Sequence, residues 1–311
     1  MKAIVLNGPG GTDKLEYKEL DIPAIHAGEV LVKVKAISIN PVDVKVREGY
    51  GVYAAFKNAD PLILGWDISG IVTESKSELF KPGDAVFGMV HFPGHGKAYA
   101  EYVAAPAGQL ALKPANVSFE AAAAATLVAL TAWQALVTNG KVHKGQRVLV
   151  HAAAGGVGHI AVQLAKYLGA VVTGTSSARN KDFVAGLGAD GHIDYNGYNW
   201  RAQQPEYDFV LDTVGGDNVN NSIAVTKNGG TIISIPSGIP EDIAGRAGEK
   251  GVHAQFMLVK SNGADMKQIA ELLEQGGITP HISQTFAFEQ MREAHLQIET
   301  GKTTGKILVL V

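Results

Sequence analysis

Arg147-Val148-Leu149-Val150-His151-Ala152-Ala153-Ala154-Gly155-Gly156-Val157-Gly158 opens a stretch that changes texture from strand to turn to helix, and back to strand before Gly174. The β-branched run at 147–150 predicts a strand, the Ala/Gly cluster a turn, and the apolar periodicity of 159–168 a helix that Gly169 stops. Residues 170–174 read as a second strand. Strand, helix and strand within about 30 residues form the βαβ unit of a parallel sheet. Its turn carries Ala153-x-Gly155-x-x-Gly158, a dinucleotide fingerprint with alanine in the first glycine place. The missing Cβ at Gly155 lets a pyrophosphate approach the backbone, where the free N–H groups and positive dipole end of the next helix meet its charge. Ala154, Gly155, Gly156, Val157 and Gly158 are therefore candidate phosphate contacts, and Gly158 should also let the helix pack closely on the sheet.

An acidic residue about 20 positions further on would bind the ribose hydroxyls of NAD. Here stand Thr175-Ser176-Ser177-Ala178-Arg179-Asn180-Lys181, with no carboxylate before Asp182. Hydroxyls and cations suit a 2′-phosphate that a carboxylate would repel, so Ser176, Ser177, Arg179 and Lys181 favour NADPH. The competing reading makes the two cations a solvated helix start. Further strands at 209–212 and 230–235, with a helix at 178–187, predict a doubly wound sheet. Ile235 and Ser237 then lie at a carboxyl strand end, where ligands of such sheets bind.

The 311 residues favour two domains over one. Residues 1–115 are Gly- and Pro-rich with short alternating runs at 30–37, 68–72 and 84–88, which predicts a mostly β domain. The alanine-rich segment 120–137 reads as a buried helix, with Ser118 as its N-cap. Helices at 265–275 and 288–299 and a strand at 306–310 complete the chain. No apolar run approaches the roughly 18 to 20 residues that span a bilayer, and residues 1–6 are too short for a signal-peptide core. These features point to the cytoplasm and to no membrane partner. A net charge of -3 without a dense basic tract argues against nucleic acid. Cysteine is absent, which excludes thiolate nucleophiles and cysteine-ligated zinc. His91 and His95 have the spacing of a metal pair, although loop histidines are ordinarily solvated.

Several segments, in order and spacing, resemble the zinc-independent, quinone oxidoreductase-like branch of the medium-chain dehydrogenase/reductase superfamily. They are Asn40-Pro41-Val42-Asp43-Val44-Lys45, Gly65-Trp66-Asp67-Ile68-Ser69-Gly70, Lys81-Pro82-Gly83-Asp84, Leu130-Thr131-Ala132-Trp133, the 152–158 turn, and Gly301-Lys302-Thr303-Thr304-Gly305-Lys306-Ile307. The resemblance implies an α/β protein. A GroES-like, mostly β catalytic domain at 1–120 is completed by 260–311, and a Rossmann doubly wound parallel-sheet domain spans 121–259. It also implies an active site in the cleft and a dimer or tetramer, of which a homodimer is expected. Zinc-dependent relatives carry cysteine where Asn40 stands and Gly-His-Glu where this chain has Gly65-Trp66-Asp67.

The same resemblance places Asn40 and Asp43 near the nicotinamide, Thr131 facing it, and Tyr195 beside the adenosine. Asp43 has a structural alternative as a helix cap, and Thr131 as a helix hydroxyl bonded to a carbonyl. Lys45 is a candidate electrophile for an acceptor oxygen, at a position where the family's quinone reductases often have tyrosine, and Tyr50 is a candidate proton donor. The expected reaction is hydride transfer from NADPH to a quinone or an α,β-unsaturated carbonyl, a small apolar acceptor. The alternative is an NADPH-binding sensor, structural or RNA-binding protein with little turnover.

Overall fold

In the computed structural model, which describes all 311 residues, the strand Arg147–Val150 turns through 151–155 into the helix Gly156–Tyr167 and returns as the strand Val171–Ser176. The helix starts three residues before the apolar periodicity does, because Gly156 and Val157 are already helical and Gly155 serves as N-cap. It buries Ile160, Ala161, Leu164 and Ala165, one apolar stripe at helical spacing. The chain forms two compact units, residues 1–130 with 260–311, and residues 131–259.

The second unit is built on a six-stranded parallel sheet in the order Gly191–Asp194, Val171–Ser176, Arg147–Val150, Tyr207–Asp212, Thr226–Ser234, His253–Phe256. Chain direction across the sheet reverses between Arg147–Val150 and Tyr207–Asp212, which creates a switch point at the carboxyl edge. Val148, Leu149 and Val150 are fully buried, as a central strand covered on both faces requires. The helix expected over 178–187 is split into a 3-10 turn, Ala178–Asn180, and a helix, Lys181–Gly186. Asn180, near φ -98 and ψ 7, makes the break.

In the first unit the strand Glu29–Ile39 is flanked by Asp67–Ser75 and by Lys306–Leu310, and also pairs with Tyr102–Pro106. Ala85–Met89 and Ile282–Ala287 extend this sheet on either side. The Pro82-Gly83 turn has Gly83 at φ 96, with Lys81 N–H donating to Asp84 Oδ2 at 2.9 Å. The alanine-rich helix Phe119–Trp133 continues as a π-helical turn, Gln134–Asn139. Ser118 Oγ accepts the Ala121 N–H at 3.1 Å, the expected cap. Ala123 and Ala124 pack on Ala36 and Leu308, small side chains that bring the helix close to the sheet. One expectation is corrected: residues 119–139 are long and apolar enough to cross a membrane by length and composition. Their apolar window is 78% buried inside the protein, which explains that composition as a core helix.

Candidate functional site

The carboxyl ends of the parallel strands gather the nucleotide candidates along one edge. Ala153 N–H donates to Thr175 O at 2.8 Å and Gly155 N–H to Ala152 O at 2.9 Å, so the turn is held to the neighbouring strand. No side chain caps the Gly156–Tyr167 helix. The N–H groups of Gly156, Val157 and Gly158 precede the first helical bond, His159 N–H to Gly155 O, and are left for an outside acceptor. A Cβ on Gly158 would lie 2.2 Å from Ala152 O and 2.8 Å from Ala153 Cα, whereas one on Gly155 would meet only Ala152 O at 3.2 Å. Gly158 keeps the fold closed and Gly155 keeps the cradle open. This geometry fits a dinucleotide pyrophosphate.

Ser176 ends the next strand, nearly buried, with its Oγ 2.8 Å from His192 Nε2 and 3.0 Å from Ser177 O. Arg179 and Lys181 are exposed. Tyr195 is also exposed and follows Asp194, whose carboxylate accepts from Asn196 N at 3.0 Å and Nδ2 at 2.9 Å. At the switch point Asp212 organises the loop: Oδ1 accepts Val214 and Gly215 N–H, and Oδ2 accepts Ser222 Oγ and Asn218 Nδ2. Ile235 N–H donates to Asp212 O at 3.1 Å, and Ser237 Oγ stands against Gly215. Thr131 is buried on its helix. His151, beside Trp200, is pushed down to about 4 by burial, against the pull of Asp212. His192, His151 and Asp212 escaped sequence reading because single polar residues near or just beyond strand ends leave no spacing pattern. His192 alone had a signal, sharing a strand face with Asp194.

In the first unit the helix Pro41–Arg47 begins where Asn40, extended at φ -130, leads into Pro41. Asp43 Oδ2 accepts the Asn40 N–H at 2.7 Å, the capping role foreseen as its structural alternative. Asn40 is 1% exposed and its amide is fully engaged. Its Nδ2 donates to Asp67 Oδ2 at 2.8 Å, and its Oδ1 accepts from Lys306 Nζ at 2.5 Å. Lys306 also donates to Ile39 O at 2.8 Å, and Asp67 Oδ1 accepts Leu127 N–H at 3.0 Å. A second buried chain runs from Arg47 through His295 to Tyr99 at 3.4 and 3.0 Å. The Tyr99 phenol faces the Asp43 carboxyl, whose Oδ1 has no hydrogen bond of its own. Burial pushes Asp43 up to about 7, with the nearby Asp67 adding to it, and burial lowers Lys306.

The four expected catalytic side chains therefore separate: Asn40 and Asp43 sit inside this network, whereas Lys45 and Tyr50, the latter 67% exposed, face outward. Backbone links the outer two, Tyr50 N–H to Lys45 O at 2.8 Å. The histidine pair is half-buried rather than freely solvated. His95 stacks on Phe56 at 5.1 Å and contacts Ile63 O at 2.9 Å, while His91 Nε2 lies 3.4 Å from Ala104 O. Trp66 donates Nε1–H to Gly94 O at 2.7 Å.

The buried carboxyl has a pH signature. Between the ordinary 3.8 and the folded value of about 7, the unfolded chain has released a proton that folded Asp43 retains, so its contribution to stability falls as pH rises. Asp43→Asn keeps an oxygen for the Asn40 N–H and removes the titration. The stability difference, wild type minus variant, should fall between pH 4 and 7 by up to ~1.4 kcal/mol per pH unit. Urea unfolding at stepped pH measures it, and a flat difference would contradict the assignment.

Residues 26–115 match the family described as alcohol dehydrogenase GroES-like domain, and residues 187–309 the family described as zinc-binding dehydrogenase. The chain is 35% identical to the mitochondrial NAD(P)H oxidoreductase RTN4IP1 of Bos taurus, across 100% of this chain and 89% of that protein. It is 33% identical to the chloroplastic NADPH-dependent alkenal/one oxidoreductase of Arabidopsis thaliana, across 99% and 79%. The solved structure of the quinone oxidoreductase from Coxiella burnetii matches with a TM-score of 0.94 at 37% identity, covering 100% of this chain and 99% of that one.

Proposed function

The chain belongs to the quinone oxidoreductase-like members of the medium-chain dehydrogenase/reductase superfamily, and on that premise we propose that it reduces a quinone or an α,β-unsaturated carbonyl with NADPH. The observation that carries this reading is the uncapped, glycine-lined start of the Gly156–Tyr167 helix, beside a strand that ends in Ser176. When bound, NADPH supplies the hydride. The first-turn N–H groups hold its pyrophosphate, and Ser176, Ser177, Arg179 and Lys181 take its 2′-phosphate. Tyr195 flanks the adenosine, and Thr131, Ile235 and Ser237 contact the nicotinamide half. Asn40 and Asp43 act as positioning residues that fix the start of the Pro41–Arg47 helix. That helix presents Lys45, whose ammonium meets the oxygen on which negative charge develops. Tyr50 supplies the proton.

NADPH oxidation with a panel of ortho-quinones, enals and enones tests the reading. Lys45→Ala should lower kcat/KM at least about tenfold and leave NADPH affinity unchanged. Wild-type kcat/KM in that variant removes the electrophile role, and saturable NADPH binding with no acceptor reduced favours a binding protein.

The same proposal includes a homodimer. The edge strand His253–Phe256 has one unpaired side, and exposed apolar residues end and follow it, with Phe256 42% and Leu258 39% accessible. Phe256→Asp should convert the dimer to monomer in light scattering, and an unchanged mass would discard this surface. Cytoplasmic residence also belongs to the proposal. The mitochondrial and chloroplastic labels describe the relatives, and fractionation of cells making the full chain checks it.

A further inference from the structure

We infer that His192 is a specificity-determining residue that reads the 2′-phosphate of NADPH through Ser176, donating Nε2–H to Ser176 Oγ so that the serine hydroxyl turns its hydrogen onto the phosphate. The geometry is a single hydroxyl with two neighbours, Ser177 O at 3.0 Å and His192 Nε2 at 2.8 Å. A serine has one hydrogen to give and two lone pairs to receive with. Without ligand, Ser176 donates to Ser177 O while accepting from Nε2–H, or donates to a bare Nε2. A phosphate offers only acceptors, so it demands the serine hydrogen. Ser176 Oγ then retains a protein partner on the imidazole side only as an acceptor, which requires the proton to be on Nε2. The ligand thus selects one imidazole state.

The location supports a ligand role. Ser176 closes the strand that follows the glycine turn, where the reader of the ribose stands in sheets of this topology. His192 lies on the adjacent edge strand, Gly191–Asp194, and is partly exposed. The charged groups facing it are Asp194 on its own strand and Lys181 from the neighbouring helix. Burial lowers His192, Asp194 raises it and Lys181 lowers it, with a net shift downward that favours the uncharged imidazole before ligand arrives. A 2′-phosphate, mostly dianionic above its second pKa of about 6, adds the missing negative charge. The second proton then goes to Nδ1, and the imidazolium joins Lys181 in balancing the phosphate. NADH has a hydroxyl at that place and draws no proton. Discrimination between the two nucleotides is therefore coupled to proton uptake by one side chain.

The test isolates this subsite with 2′,5′-ADP and 5′-AMP as probes, titrated calorimetrically into the full chain at pH 7.5 in two buffers of different ionisation enthalpy. Wild type should take up a fraction of a proton with 2′,5′-ADP and none with 5′-AMP. His192→Gln retains an N–H for Ser176 but cannot titrate. It should abolish the uptake and weaken 2′,5′-ADP about threefold to tenfold, about 0.7 to 1.4 kcal/mol, without changing 5′-AMP. Ser176→Ala should remove the proton coupling and lower the preference for 2′,5′-ADP over 5′-AMP, leaving the share that Ser177, Arg179 and Lys181 supply. Uptake in His192→Gln equal to wild type, or an equal loss for both probes, would overturn the inference. Failure of the underlying NADPH reading looks different, because wild type itself would then bind 5′-AMP as tightly as 2′,5′-ADP.

Discussion

Gly158→Ala will unfold or severely destabilise the nucleotide-binding unit, while Gly155→Ala will keep the fold and lose the cofactor. The two substitutions add the same methyl group to the same turn, and only what that methyl meets differs. At Gly158 it would meet the Ala152 carbonyl at 2.2 Å and the Ala153 backbone at 2.8 Å, neither of which can rotate away. Relief requires moving the start of the Gly156–Tyr167 helix away from the 151–155 turn, at a cost of about 3 kcal/mol or more. Thermal melts should show a drop of roughly 10 °C. At Gly155 the backbone is extended, φ -81, with no left-handed strain, and the contact to Ala152 O is 3.2 Å. The melting temperature should stay within about 2 °C, yet NADPH affinity should fall at least about tenfold because the methyl occupies the cradle. Equal stability loss in both variants would refute this division of labour.

Lys306→Met should cost about 3 to 5 kcal/mol in urea unfolding at pH 7.5. The methionine fills a similar volume, so the loss measures the ammonium. Ile39 O and Asn40 Oδ1 lose their donor, and the buried Asp43 and Asp67 lose the cation that offsets them. Two further results are expected. The penalty should shrink near pH 5, where buried carboxyls take up protons, and Asp67→Asn added to Lys306→Met should recover about 1 to 2 kcal/mol through direct coupling. A penalty independent of pH would show that the cation does not serve the carboxyls.

Much of the fold could be read from residues 147–174, because a buried parallel strand, a glycine turn and a helix each impose a distinct period. The strand at 306–310 was readable to the residue for the same reason, an apolar run between Gly305 and the last residue. The helices Asn218–Val225 and Glu241–Glu249 were missed. The second buries only Ile243 and Ala247, too few apolar positions to set a phase. The strand His253–Phe256 was missed because an edge strand exposed on most of its positions has no alternation to show. The glycine turn between strand and helix was legible from local pattern. The partners of Asn40 were not, since Asp67 and Lys306 lie 27 and 266 positions away and only the sheet brings them together.

The late arrival of Lys306–Leu310 also constrains how the chain is made. Residues 131–259 are contiguous and can close during synthesis, but Glu29–Ile39 must wait for its flanking strand until the ribosome has added more than 260 further residues. At about 5 to 20 residues per second that interval lasts roughly 15 to 50 seconds. Throughout it an apolar strand edge stays open, and Asp43 and Asp67 lack their buried counter-charge. The nascent protein is therefore most exposed to aggregation, and most in need of a chaperone, in the half of the molecule that was translated first.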